Sequence, residues 1–211
     1  MAKDNRNIPV VPAALIQHIS AFSTATLHEA MDREGAMDCS IKPIRPGLRT
    51  CGQAVTVKTH LGDNLMLHRA LALAERGQVL VADTGMCTEA ASWGDMMSVQ
   101  AVVNGLAGLV LNGSVRDVAE FRRIGFPVFA AGVSMKGLTK GAIGSLNQPV
   151  CCGGATVRPG DIIVVDDDGV VVIPPERAEE TAERARQRDE REREMIRRIR
   201  SGERLFDLLG L

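Results

Sequence analysis

The feature that most constrains this chain is a repeated alternation between short, unbroken apolar runs and longer segments of helical period. Residues 78–83 (QVLVAD), 108–112 (GLVLN) and 126–130 (FPVFA) have the length and continuity of strands covered on both faces. Between them a helix is predicted from near Gly94 and another over 116–124 (RDVAEFRRI), stopped by Gly125. Parallel strands need long crossover connections, so this order predicts an α/β fold with parallel pairing. Gly113-Ser114 reads as the break at the end of the second run, and residues 84–93 as a loop long enough to hold a ligand. Upstream, Ser23 caps a predicted helix over 24–36 with Gly35 near its end. Residues 52–60 (GQAVTVKTH) alternate as a strand does. Leu61-Gly62-Asp63 then turns the chain into a helix beginning near Asn64, with Asp63 as its cap. Residues 160–165 and 169–173, joined by Asp166-Asp167-Asp168-Gly169, form a hairpin added to a mixed sheet.

After Pro174-Pro175 the composition changes. Residues 176–204 form a charged helix with supportive pairs such as Glu180–Arg184 and Glu194–Arg198, but with little apolar face between Glu183 and Glu194. A helix polar on all sides projects into solvent or lies along another subunit, and the apolar tail 205–211 suggests docking. The chain therefore divides into a domain over 1–175 and a helical arm over 176–211, and a homo-oligomer is expected.

The charge balance narrows the partners. Twenty-five basic against 26 acidic residues leave a net charge of −1, which draws neither nucleic acid nor anionic lipid. No segment has signal-peptide or membrane-spanning character, so a cytoplasmic protein is expected. Five cysteines, with no CxxC, suit reduced thiols; adjacent Cys151 and Cys152 are expected to be buried. The four histidines are too scattered for a nitrogen-ligated metal, and no glycine-rich nucleotide loop supports a methyltransferase.

Two segments carry the chemistry. Trp93-Gly94-Asp95-Met96-Met97 and Ser114-Val115-Arg116-Asp117 occupy equivalent places, each past the carboxyl end of a strand and at a helix start. Ligands in open α/β sheets bind there. Unpaired N–H groups at Gly94–Met97 suit a carboxylate, and Gly94 allows close approach. Arg116 offers a planar fork for a carboxylate or an enolate oxygen, and Asp117 a hard oxygen ligand for Mg²⁺ or Mn²⁺. The local pattern alone better suits an ordinary first-turn arginine and aspartate.

Longer agreement weighs more. Leu27-His28-Glu29-Ala30, Gly62-Asp63-Asn64 with Met66 and His68, Trp93-Gly94-Asp95 and Val115-Arg116-Asp117 with Glu120 come in sequence, followed by Arg158-Pro159-Gly160-Asp161 leading to 166–174. In order and spacing, over roughly residues 15–210, the chain resembles the 4-hydroxy-4-methyl-2-oxoglutarate / 4-carboxy-4-hydroxy-2-oxoadipate aldolases, which share the RraA-like fold of the regulators of ribonuclease E activity. The resemblance implies a mixed-sheet α/β/β/α sandwich with a C-terminal charged helix. It implies pyruvate binding by Arg116 and the backbone of Gly94, Asp95, Met96 and Met97, and a divalent cation held directly by Asp117. Asp95 and a neighbouring subunit's Glu192, with Glu194 as second choice, would hold that cation through water. Cleavage of a 4-hydroxy-2-oxo diacid to pyruvate, oxaloacetate decarboxylation as a side activity, and a trimer or hexamer follow from the same resemblance. The alternative on this fold is a non-catalytic regulator of a ribonuclease or another protein; the C-terminal carboxylates favour the enzyme.

The chain departs from the family pattern where Met96-Met97 replaces a leucine pair and Asn112 stands where Asp is common. The loop 84–92 has no match and is expected to line the distal half of the pocket. Asp166–Asp168 reads as a hairpin turn rather than a metal cluster. Lys136 and Lys140, in a glycine-rich stretch, could meet a distal carboxylate but read more readily as solvated; Lys58 has no local cause for Schiff-base reactivity, and His28, His60 and His68 read as structural.

Overall fold

The apolar runs pair as their length requires. In a computed structural model, which describes residues 8–211, the chain opens with α1 (Ala13–Ile19) and α2 (Thr24–Ala30), then β1 (Lys42–Pro43) and β2 (Thr50–Lys58). Next come α3 (Leu65–Leu73), β3 (Val79–Asp83), β4 (Ala91–Trp93) and α4 (Asp95–Asn104). They are followed by β5 (Gly108–Val115), α5 (Val118–Ile124) and β6 (Val128–Val133). After β7 (Ser145–Leu146), β8 (Val150–Cys152) and β9 (Ala155–Val157), the hairpin β10 (Ile162–Val165) and β11 (Val170–Ile173) leads to α6 (Ala178–Arg200) and α7 (Leu205–Leu208).

Strands β6, β5, β3 and β2 lie side by side and parallel, and the antiparallel hairpin joins at β2 through β10. The burial of alternate residues shows that the sheet curls over itself at β2. Val55, Leu80, Leu109 and Val128 face Met66, Leu67, Ala101 and Phe121 of the helices α3, α4 and α5. Ala54, Val79, Val81, Val110 and Phe129 on the other face meet Ile163, Val165, Val170 and Val172 of the hairpin. The hairpin's remaining side chains, Ile162, Val164, Val171 and Ile173, meet Ile19, Leu27, Met31, Ala178 and Ala182. Helices, sheet, hairpin and helices thus stack in four layers, the expected α/β/β/α sandwich, and burial on both faces explains the unbroken apolar runs.

Several local expectations are corrected by tertiary contacts. The helix over 24–36 ends at Ala30, because Asp32 and Arg33 turn left-handed (φ 60° and 66°). Beyond them Gly35 O accepts from Val172 N at 2.9 Å and Met37 N donates to Val170 O at 3.0 Å, so pairing with β11 wins over helix propagation. Gly113-Ser114 does not end its strand: β5 runs through Val115, and a Cβ at Gly113 would lie 2.3 Å from Thr84 Oγ1. Cys151 is exposed and Cys152 buried, as alternation along β8 dictates. The charged C-terminal helix has an apolar face after all in its first half, where Ala178, Thr181, Ala182 and Ala185 are buried against α1 and α2. A chain cut after Pro175 would uncover that core. Beyond Ala185 no side chain of α6 or α7 is buried.

Candidate active site

Short strand β4 brings the two chemical segments together. It pairs parallel to β5, Ala91 opposite Ser114 and Trp93 opposite Val115, and Arg116 N then donates to Trp93 O at 3.0 Å. Trp93 is buried, stacks on Phe126 and donates from Nε1 to Ser98 Oγ at 2.7 Å, which fixes the start of α4. The residues that follow the two strands, Gly94 and Arg116-Asp117, are therefore held against each other. A Cβ at Gly94 would sit 2.6 Å from Asp117 Oδ2 and 3.4 Å from Arg116 Nε. Glycine here allows the close approach of the Asp117 side chain.

Asp117 is itself strained: it caps α5 with φ 63° and ψ 35°, a left-handed conformation that a non-glycine residue adopts at a cost of about 1–3 kcal/mol. Its Oδ2 lies 3.5 Å from Arg116 Nε and 3.3 Å from the Asp95 amide. Asp95 Oδ1 accepts from the Met96 amide at 2.6 Å. Two carboxylate oxygens already gather at the amino end of α4, a ten-residue helix whose dipole favours negative charge there.

Beside this group lies a cavity of about 300 Å³ lined by Gly94, Asp95, Met96, Met97 and Arg116 together with Asn64, which precedes α3, His68 of α3, and Gly137, Leu138 and Lys140. The loop that carries Lys140 is tied down by Asp63. Asp63 Oδ2 accepts from the amides of Gly141 (2.6 Å) and Ala142 (3.1 Å) and from Thr139 Oγ1 (2.9 Å), while Oδ1 accepts from Leu65 N at 2.8 Å. Burial pushes the Asp63 carboxyl up, but these donors outweigh it and hold it at about 2. Asp63 is therefore not the cap expected of it: α3 starts at Leu65 with Asn64 in the cap position, and Asp63, one residue earlier, bonds the Leu65 amide and the Lys140 loop.

Other expected residues fall as follows. Of the loop 84–92, only Ala91 lines the cavity, so the distal wall comes from α3 and the Lys140 loop instead. Asn112 is structural: Oδ1 accepts from Thr84 N at 2.7 Å and Nδ2 donates to Asp83 at 3.2 Å. Lys58 pairs with Asp83 at 3.3 Å and Lys136 with Glu89 at 3.0 Å. The carboxylates of Asp166 and Asp167 accept backbone amides from Thr24 and Gly47, as a structural turn would. Glu120 pairs with Arg123 at 3.1 Å. Glu192 pairs with Arg188 at 2.8 Å and Glu194 with Arg197, on the exposed half of α6 rather than at their own chain's cavity.

Asn64, His68 and Lys140 line the cavity although the sequence favoured a structural His68 and a solvated Lys140; Asn64 in the cap position of α3 and His68 one turn on lie past the carboxyl end of β2.

Among the described residues, no three His, Cys, Asp or Glu side chains gather as a metal site. The oxygens of Asp117 and Asp95 suit a hard cation that keeps most of its positions for water and substrate, the habit of Mg²⁺. A Cβ at Gly94 would fill the cradle that brings Asp117 to this place.

Comparison with known proteins agrees with this geometry. Residues 24–172 match the RraA-like family model described as Aldolase/RraA. The chain belongs to the RraA-like family. A relative named "Putative 4-hydroxy-4-methyl-2-oxoglutarate aldolase" from Halalkalibacterium halodurans is 36% identical over 174 residues, 82% of either chain. The solved structure of an uncharacterized protein from Pseudomonas syringae pv. tomato matches this RraA-like chain with a TM-score of 0.84 at 28% identity, covering 94% of it and 98% of that protein. A Streptomyces coelicolor protein described as an unusual member of the RNase ES inhibitor RraA family matches with a TM-score of 0.77 at 25% identity, over 88% and 96%. No helix among the described residues is long and apolar enough to cross a membrane.

Proposed function

We propose that this RraA-like protein is a divalent-cation-dependent aldolase that cleaves 4-hydroxy-4-methyl-2-oxoglutarate or 4-carboxy-4-hydroxy-2-oxoadipate to pyruvate and a second 2-oxo acid. The observation that carries the reading is the Asp117 carboxylate, on left-handed backbone, held beside the guanidinium of Arg116, which lines a cavity.

The amides at the start of α4 receive the substrate carboxylate, and Arg116 donates to the 2-oxo oxygen. Asp117 ligates the cation, and Asp95, one residue into α4, lies within reach to hold water around it. Mg²⁺ or Mn²⁺, when bound, supplies Lewis-acid polarisation of the 2-oxo group. A base beside Asp95 takes the C4 hydroxyl proton, the C4 carbonyl forms as the C3–C4 bond breaks, and the electron pair moves to C3. Arg116 stabilises the resulting enolate oxygen until C3 is protonated. Oxaloacetate reaches the same enolate by loss of carbon dioxide, so its decarboxylation belongs to the same site.

Glu192 of a neighbouring subunit, or else Glu194, completes the site in a trimer or hexamer. Support comes from the unburied second half of α6, from exposed Ile196, Ile199, Leu205, Phe206 and Leu209, and from exposed Met96, Val99 and Val103 on one stripe of α4. Cytoplasmic residence is part of the same reading.

The test is pyruvate release from a 4-hydroxy-2-oxo diacid in Mg²⁺ or Mn²⁺, abolished by EDTA. Full activity in EDTA with borohydride trapping at Lys58 would establish a Schiff-base enzyme, and inactivity on every such acid would establish the regulator. Mixed Asp117→Ala and Glu192→Ala subunits should recover partial activity; no recovery after verified subunit exchange would place the whole site in one chain.

A further inference from the structure

The hydroxyl of Ser98 is buried in the first turn of α4, and its single proton has one place to go. Trp93 Nε1 reaches Ser98 Oγ at 2.7 Å, and an indole N–H can only donate. Ser98 Oγ lies 3.1 Å from Gly94 O, and a carbonyl can only accept. The chain of bonds therefore runs one way, from indole to hydroxyl to carbonyl. The Ser98 amide donates to the same oxygen at 3.1 Å, so Gly94 O takes two bonds from one residue. A helical serine often bonds the carbonyl four residues back; here a second donor behind the hydroxyl holds it in that role.

What this fixes is the peptide between Gly94 and Asp95. A peptide is planar and trans, so its N–H points opposite to its C=O. With Gly94 O pointing along α4, the Asp95 N–H points out of the helix's amino end, where Asp117 Oδ2 lies 3.3 Å away. Glycine alone would leave this plane free to turn. Trp93 anchors the arrangement, being buried and stacked on Phe126. Hydrogen bonds in a chain also polarise one another, and a carbonyl that accepts two makes the N–H across the same peptide a stronger donor.

We propose that Trp93 and Ser98 are positioning residues whose hydrogen-bond relay aims and strengthens the Asp95 amide that receives the carboxylate of a 2-oxo acid. This rests on the aldolase reading and adds to it two buried side chains that act through the backbone of Gly94.

Calorimetric titration with pyruvate in Mg²⁺, beside thermal melts, tests this without turnover. Ser98→Ala should weaken pyruvate by about threefold to tenfold, the net worth of one hydrogen bond. Trp93→Phe, which keeps an aromatic ring over Phe126 and removes the donor, should weaken it by about twofold to threefold. The double variant should bind pyruvate no more weakly than Ser98→Ala alone, because both substitutions cut one relay, although its Tm should fall further from the space the smaller ring leaves. If Ser98→Ala fails to fold, Ser98→Thr against Ser98→Val carries the same comparison: the two share a shape, and the threonine variant should bind pyruvate about threefold to tenfold more tightly. In turnover the Ser98→Ala loss should appear in KM rather than kcat, since a carboxylate is held alike in ground and transition states. Pyruvate affinity indifferent to the Ser98 hydroxyl, or losses that multiply in the double variant, overturns the relay. Pyruvate binding with the expected pattern, but without cleavage of any 4-hydroxy-2-oxo diacid, would uphold the relay and sink the aldolase. Turnover with affinity indifferent to Ser98 would do the reverse, and a native protein that binds no pyruvate in Mg²⁺ would overturn both.

Discussion

The two ends of the parallel strands both carry a cavity, and the larger one is at the end without reactive groups. At the amino ends of β2 and β3 a space of about 720 Å³ is lined by Cys51, Gln53 and Gly77 among others, against about 300 Å³ at the carboxyl ends. In the larger space, Gln53 Oε1 accepts from Val11 N at 3.0 Å, its Nε2 donates to Pro9 O and Gly160 O, and the Cys51 thiol bonds Ile16 O. Burial pushes that thiol up to about 12, so it offers no thiolate. At the carboxyl ends stand a left-handed aspartate and a guanidinium. Size is thus a poor guide to chemistry; the reactive groups that line a space are a better one.

The largest contrast should come from the reactive groups themselves. Arg116→Ala should keep cation affinity in a calorimetric titration yet lower kcat by about 10²–10³, the usual loss when a donor to a developing oxyanion is removed. Asp117→Ala should lose the cation altogether. Cys51→Ala at the opposite end should leave kcat unchanged. A rise in KM alone for Arg116→Ala would mean uniform binding and would break the mechanism at that residue.

Two glycines sharpen the same contrast. At Gly94 a methyl group would collide with the Asp117 carboxylate, a side chain that can swing aside, so Gly94→Ala should fold normally and lose at least about tenfold in kcat/KM. At Gly52 the methyl would lie 2.3 Å from the Gly77 carbonyl, backbone that cannot swing. Gly52→Ala should therefore cost about 1–3 kcal/mol of stability and keep its activity per folded molecule. Thermal melts beside kinetics decide it; an equally damaged Tm in both variants would erase the distinction.

The sequence was most legible where one local rule decides. Unbroken apolar runs gave the strands, crossover length gave the parallel order, and the Asp-Gly turn gave the hairpin. It misled where a distant contact wins. Nothing local says that Gly35 will pair with β11, or that Thr84 will lie over Gly113 and let β5 continue. The alanines of α6 were hidden by the charges around them, although Ala178, Ala182 and Ala185 keep the spacing of a buried stripe. At the candidate site, the neighbourhood of Gly94, Asp95, Arg116 and Asp117 was legible from their equivalent places at helix starts. That Asn64, His68 and Lys140 share one cavity with them was not, because α3 and the Lys140 loop converge there only in three dimensions.

The smallest effect separates the ends by pH. Asp63 ties the Lys140 loop to α3, and its carboxyl is held at about 2, below the ordinary value of 3.8. A carboxyl lowered by folding stabilises the native state above its unfolded pKa, and that contribution is lost as pH falls through the folded value. The window therefore runs from about pH 4 down to about pH 2, with a slope no steeper than about 1.4 kcal/mol per pH unit for one proton. Asp63→Asn should melt lower than the native protein at pH 5 and above, and the gap between their Tm values should close as pH falls through that window. A gap that stays constant down to pH 2 would show that the Gly141, Ala142 and Leu65 amides bond an amide oxygen as well as a carboxylate. The wall of the smaller cavity would then not depend on that charge.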